Sequence, residues 1–275
     1  MIDNPRSPRV RAVAKLAKRD ARSETGLFLL EGPQAVTEAL TFRPQLVVEL
    51  FATPTALERY SDIARAAEEA GIEIEFVSEQ VLDSMADTVT PQGIVAVCHQ
   101  FPTSVKDIFA PDADGNGPKL IAILEEVRDP GNAGTIIRAA DAAGADGVIF
   151  TGRSVDLYNP KVVRSSTGSI FHVPVAVGAD FDSVLDRARS AGLQVVAADV
   201  KGDDLLAARE SGVLAKATAW VFGNEARGLS DENLALTDRA LTVPIYGHAE
   251  SMNLATAASV CLYESAFAQR TVRAD

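Results

Sequence analysis

Two cysteines in 275 residues leave this chain without a disulfide framework or a Cys/His cluster of the kind that holds zinc. Cys98 and Cys261 lie in apolar patterns with no Cys-x-x-Cys spacing, so both read as buried free thiols, and no metal is expected. No apolar run approaches the roughly 20 residues that span a bilayer, so no membrane association is expected either. The polar, basic start from Met1 to Lys18 lacks the apolar centre of a signal peptide, which points to the cytoplasm. Positive charge is scarce: 26 Lys and Arg face 38 Asp and Glu, a formal net charge of -12, which argues against a surface devoted wholly to nucleic acid. Phosphate-cradling loops are missing too. The segment Glu125 to Gly134, after an apolar run at Leu120 to Leu124, supplies neither Gly-x-Gly-x-x-Gly nor a Lys-Ser/Thr pair, which disfavours a dinucleotide or ATP site. His99, His172 and His248 are the only histidines, and no Gly-x-Ser-x-Gly elbow accompanies them, which disfavours hydrolase chemistry. His248, in the loop Tyr246 to Glu250, is at most a candidate substrate contact.

The 47% hydrophobic content is enough for one large or two modest α/β domains with an ordinary core. A polar, turn-rich stretch between Thr103 and Lys119 suggests a division into residues 1–103, a linker over 104–118, and residues 119–275. Before the linker, Phe28–Leu30, Leu46–Val48, Ile72–Ile74 and Gly93–Val97 read as strands. Between them, Pro33–Leu40, Leu57–Ala70 and Glu79–Ala86 read as helices. After it, Leu120–Leu124, Gly147–Phe150, Val173–Val177, Gln194–Ala198, Ala219–Phe222 and Leu241–Val243 alternate with helical stretches, the pattern of a mostly parallel sheet. Arg6, Arg9, Arg11, Lys15, Lys18, Arg19 and Arg22 crowd the N-terminal segment. They form either an RNA-contacting arm, with Arg9, Arg11, Lys15 and Lys18 as candidate contacts, or the solvated face of a first helix.

Two polar clusters flank an apolar run near the C-terminus. Gly223-Asn224-Glu225 follows the strand-like Ala219–Phe222, where a chain leaves a parallel sheet and ligands commonly bind. Ser251-Met252-Asn253 opens a helical pattern through Ala255, Ala258, Val260, Leu262 and Phe267, with Ser251 as a plausible N-cap. Upstream, Asn132 stands at a helix start and Arg138 six residues on, in a helix whose apolar face is Ile136, Ile137 and Ala140. Asn132 either holds a loop or nucleotide through its amide or simply caps its helix. Glu225 either anchors a loop through backbone hydrogen bonds, pairs with Arg138, or faces solvent as a turn carboxylate.

These segments, Asn132-x-Gly134-x-x-x-Arg138, Gly223-Asn224-Glu225-x-x-Gly228-Leu229, and Val243-Pro244-Ile245 with Ser251-Met252-Asn253-x-x-x-Ala257, resemble the three ordered motifs of the SpoU (TrmH) family of RNA ribose 2′-O-methyltransferases. The N-terminal part, with Phe28–Gly32 and Thr90-Pro91-Gln92-Gly93, resembles the substrate-binding extension of the rRNA-modifying members, a small α/β fold like a ribosomal RNA-binding protein. The resemblance implies a C-terminal SPOUT α/β domain with a deep trefoil knot, a homodimer, and S-adenosylmethionine as methyl donor. It implies Gly223, Asn224, Val243, Ile245, Met252 and Leu124 as cofactor-binding positions, and Arg138, Asn132, Glu225, Ser251 and Asn253 as the catalytic set. Arg164 would reach an RNA phosphate from the other subunit. The expected substrate is RNA, most readily 23S rRNA. The rivals are a tRNA 2′-O-methyltransferase, a base methyltransferase of the related knotted group, and a non-catalytic RNA-binding or ribosome-assembly factor on the same fold.

Overall fold

The computed structural model describes residues 1–271. The chain divides into two units, one formed by Met1–Phe101 with Asp156–His172, the other by Pro102–Val155 with the chain from Val173 on. The division departs from the sequence boundary in two ways. Asp156–His172 folds with the first unit, and the supposed linker contains a helix, Val105–Ile108, capped by Ser104, that places Ile108 and Phe109 in the core of the second.

In the first unit, β1 (Leu27–Glu31), β2 (Val47–Ala52), β3 (Ile74–Phe76) and β4 (Ile94–His99) form a sheet of order β1-β4-β2-β3. The strand β4 runs antiparallel to both neighbours, and β2 and β3 are parallel. Residues Ile94 to Cys98 are all buried because β4 is an inner strand covered on both faces. The helix Pro8–Lys15, capped by the Ser7 hydroxyl, turns Val10 and Val13 onto Phe51, Val95 and Val97 and leaves Arg11 and Lys15 exposed, with Lys18 exposed just beyond it. Arg9 is held by Glu49 (2.5 Å) and Glu75 (3.0 Å) with its guanidinium 5.0 Å from the Phe51 ring, so it fastens the helix to the sheet. Arg22 leaves the basic arm altogether. It is 2% exposed, donates to the carbonyls of Leu16 and Ala17 (both 2.8 Å), and pairs with Asp156 at 2.6 Å.

Several element boundaries shift for local reasons. Pro44–Leu46 forms a 3-10 turn, so β2 starts at Val47. Ile72 donates to Ala67 after Gly71 adopts a positive φ of 68°, closing the preceding helix and delaying β3 to Ile74. The single helix expected over Leu57–Ala70 is two, Pro54–Arg59 and Ser61–Glu69, broken where Tyr60 leaves helical geometry.

The second unit is a wholly parallel six-stranded sheet of order β10-β8-β9-β5-β6-β7. Its strands are β5 (Leu120–Glu125), β6 (Gly147–Thr151), β7 (Val175–Ala179), β8 (Gln194–Asp204), β9 (Thr218–Phe222) and β10 (Arg239–Thr242). A 3-10 turn at Ser169–Phe171 followed by Pro174 moves β7 two residues later than the apolar run suggests. Every residue of β6 and β9 is buried, as expected for inner parallel strands with helices on both faces. The helix Leu254–Thr271 packs on the helix Pro130–Ala143, with the Tyr263 hydroxyl donating to the Ala142 carbonyl. Its buried face is Ala255, Ala258, Cys261, Leu262, Ser265 and Ala266, while Phe267 is 49% exposed, contrary to the apolar periodicity.

Both cysteines are free and buried, and burial pushes each thiol up to about 12. Neither is a thiolate near neutral pH, so the native protein is expected to leave both unmodified by a maleimide at pH 7.5. Both should react once it is unfolded in denaturant, as counted by intact mass.

Candidate active site

The C-terminal ends of β5, β9 and β10 open into three loops, and these carry the motif residues of the second unit. After β5, Asp129 caps the helix Pro130–Ala143 by accepting from the Asn132 N–H at 2.8 Å, with Pro130 in its first turn. Asn132 is therefore not the cap, and its side chain is available for other bonds. Arg138 is the ninth residue of that 14-residue helix and is exposed. It lies two steps of three from Asn132 along the row that passes through exposed Thr135.

After β9, the chain turns back tightly at Gly223–Leu229. Asn224 and Gly228 exchange backbone hydrogen bonds at 2.8 and 3.2 Å, and the Asn224 amide donates to the Glu126 carbonyl at 2.9 Å. Gly223 is required by close approach: a Cβ there would lie 2.5 Å from the Gly228 carbonyl carbon and the Leu229 nitrogen. The neighbour that approaches is thus the loop's own backbone.

Glu225 reaches across to the loop after β5. Its two oxygens accept the backbone N–H groups of Asp129 (2.9 Å) and Arg128 (3.2 Å), and the Asn132 amide lies 3.5 Å away. Of the roles open to Glu225 in the sequence, the geometry supplies the loop anchor. Asn132 in turn accepts from the Asn253 amide at 3.0 Å. Asn253 also caps the last helix, accepting from the N–H groups of Ala255 (2.9 Å) and Thr256 (3.2 Å). The cap is Asn253 and not Ser251, because the helix begins at Leu254 and its first free N–H groups lie beneath Asn253. Ser251 is exposed two residues before. Glu225 and Asn253, 93 and 121 residues from Asn132 in sequence, form one continuous hydrogen-bonded chain with it.

Val243 and Met252 are half-buried and Ile245 is 37% exposed, all three on the segment between β10 and the last helix. No backbone group between Pro244 and Met252 has a hydrogen-bond partner among the described residues. Leu124 is different: it is fully buried inside β5, and its carbonyl accepts from the Ser154 hydroxyl at 3.1 Å. Arg164 belongs to the first unit, where its Nη1 donates to Glu31 (2.9 Å) and Asp87 (3.0 Å). His248 is exposed in the loop after β10, and His172 bonds Glu38 at 3.0 Å in the first unit.

Sequence reasoning missed Glu126. It holds a positive φ of 51°, unusual for a residue with a side chain, and its carboxylate pairs with Arg227 and with Arg128. It also missed Asp129, although Asp-Pro before a helical pattern is a recognisable start signal.

Residues 119–263 match the model of the SpoU rRNA Methylase family, and residues 29–104 match that of RNA 2'-O ribose methyltransferase substrate binding. The chain is 34% identical over 262 residues to the 23S rRNA (guanosine(2553)-2'-O)-methyltransferase RlmP of Bacillus subtilis, covering 95% of this chain and 97% of the relative. Among solved structures, the AdoMet-bound rRNA methyltransferase from Sinorhizobium meliloti superimposes with a TM-score of 0.78 at 29% identity, covering 96% of each chain. The SpoU methyltransferase AviRb from Streptomyces viridochromogenes, in complex with AdoMet, gives 0.80 at 29% identity, covering 97% of this chain and 100% of that one.

Proposed function

This chain belongs to the SpoU rRNA methylase family, and we propose how its own residues carry out methyl transfer to a ribose 2′-hydroxyl. It is an RNA 2′-O-ribose methyltransferase that uses S-adenosylmethionine, with ribosomal RNA as substrate. Relatives named as 23S rRNA methyltransferases favour that RNA over transfer RNA, and favour an enzyme over a non-catalytic factor.

The observation that carries the reading is the chain from Glu225 through Asn132 to Asn253, which ties all three motifs together beside the helix bearing Arg138. The loops fit the cofactor. Unpartnered backbone groups over Pro244–Met252 suit the edge of an adenine and ribose hydroxyls, and half-open Val243, Ile245 and Met252 suit the apolar faces. When bound, S-adenosylmethionine supplies a methyl group activated on a positively charged sulfur. Asn224 and Gly223 shape the loop that would flank it. A guanidinium keeps its proton, so Arg138 is assigned to donating hydrogen bonds to the 2′-oxygen as negative charge develops there and to the adjacent phosphate. Asn132 and Asn253 are assigned to orienting the nucleotide, Glu225 to holding their loops in register, and exposed Ser251 to meeting the ribose.

The reading extends to a first unit that binds the RNA, through exposed Arg11, Lys15 and Lys18, and a second that methylates it. It also extends to a homodimer working in the cytoplasm and to a C-terminal segment threaded as a trefoil knot.

The test is methyl transfer from labelled S-adenosylmethionine to unmodified bacterial rRNA, free and within ribosomal particles, with nuclease mapping of the product. A 2′-O-methylated nucleotide in 23S rRNA is the expected result. Cofactor binding without transfer to either form would overturn it.

A further inference from the structure

The first unit holds a cavity of about 330 Å³ lined by Glu31, Gly32, Thr90, Gln92 and Arg164, among others, and no residue assigned above to methyl transfer lines it. Its walls are fixed. The Glu31 side chain is 4% exposed, and one of its oxygens accepts the N–H groups of Asp87 (3.1 Å) and Thr88 (3.2 Å). The other oxygen, with Asp87, holds Arg164 through Nη1 alone. The Nε and Nη2 donors of Arg164 have no partner among the described residues, and its side chain is 31% exposed. The guanidinium is thus oriented with donors to spare.

Charge decides what those donors can take. Burial holds the Glu31 carboxyl above the usual carboxylate range, against the lowering by the Thr88 N–H and Arg164. Even so, Asp87 at 3.0 Å balances the guanidinium by itself, so the cavity has no positive excess to attract a phosphate. A neutral ligand with acceptors for Arg164 and donors for the carboxylates and amide is the better match. Around the rim, the Gln92 amide and Thr90 hydroxyl have no partner among the described residues. Gly32, at a φ of +90°, keeps the wall open, since a Cβ there would come within 3.2 Å of the Gln92 Oε1. Pro91, Ile94 and Val95 complete the lining, an apolar surface against which a flat ring can rest.

A planar ring with both acceptors and donors on its edges is a nucleobase, and proteins that read RNA sequence do so chiefly on unstacked bases. Guanine fits best, because O6 and N7 accept from two guanidinium donors while N1–H and the 2-amino group donate. We propose that this cavity takes one unstacked guanine of the RNA substrate, an inference that rests on the RNA methyltransferase reading above.

The full chain would be titrated with fluorescent U-tract oligoribonucleotides bearing one central guanine, adenine, hypoxanthine or 7-deazaguanine, with GMP as competitor. The guanine oligonucleotide is expected to bind roughly tenfold more tightly than the adenine one, with 7-deazaguanine losing most of the gain. Gln92→Ala, at an exposed position where folding is not at stake, and Arg164→Lys should each erase the preference, with melting curves checking that both remain folded. Equal binding of all oligonucleotides, a preference that survives in Gln92→Ala, or GMP binding as tightly as the RNA would each overturn the proposal. Methyl transfer measured in parallel separates the two readings. No transfer with the guanine preference intact removes the catalytic reading alone, and transfer without the preference removes only the guanine site.

Discussion

Replacing Arg138 with alanine is expected to lower the rate of methyl transfer by about 10²–10³-fold, the usual cost of removing one donor aimed at developing negative charge. The side chain is exposed on the helix Pro130–Ala143, so the change should move stability by no more than roughly 0.5 kcal/mol. S-adenosylmethionine binding, measured by calorimetry, should stay within about twofold of the wild type, because the positions assigned to the cofactor lie on the loops after β9 and β10. Arg138→Lys should recover little, since an ammonium cannot present two parallel donors to an oxygen and a neighbouring phosphate. Single-turnover rates at saturating RNA isolate the chemical step. A variant as fast as the wild type would remove Arg138 from the site.

Gly223→Ala is expected to damage the same enzyme by another route. A Cβ at this position would sit 2.5 Å from both the Gly228 carbonyl carbon and the Leu229 nitrogen, and 2.8 Å from the Gly228 oxygen. These are backbone atoms, so no side chain can swing away. Either the Asn224–Gly228 hydrogen bonds break or Leu229, 9% exposed in the core of the second unit, is pushed outward. Overpacking of this kind costs about 1–3 kcal/mol, which at this chain length lowers Tm by roughly 2–12 °C. The displaced loop carries Glu225, so its bonds to Arg128 and Asp129 should loosen, and S-adenosylmethionine affinity should fall by about tenfold or more. Gly117→Ala is the control. A Cβ there meets only the Ala191 carbonyl oxygen at an ordinary 3.5 Å, and its melting temperature should match the wild type. If Gly223→Ala melts and binds like that control, the tight return of the loop is not what shapes the site.

The sequence by itself determined the parallel sheet and the identity of the motif segments. Apolar runs such as Leu120–Leu124 and Ala219–Phe222 have no soluble alternative to burial between two layers, and the Asn, Arg, Glu and Ser-Met-Asn positions are local and ordered along the chain. Ends of elements were less legible where a proline or a positive-φ glycine delayed a strand, as at β2 and β3. Only the tertiary structure decided which polar groups meet. Glu225 could equally have faced solvent or Arg138, and it is the return of β9 beside β5 that brings it over the Arg128 and Asp129 amides. Arg9 and Arg22 read as part of a basic arm until the fold set carboxylates from Glu49, Glu75 and Asp156 against them. A side chain's partner depends on contacts between residues far apart in the chain, and no local pattern of charge or hydrophobicity encodes those.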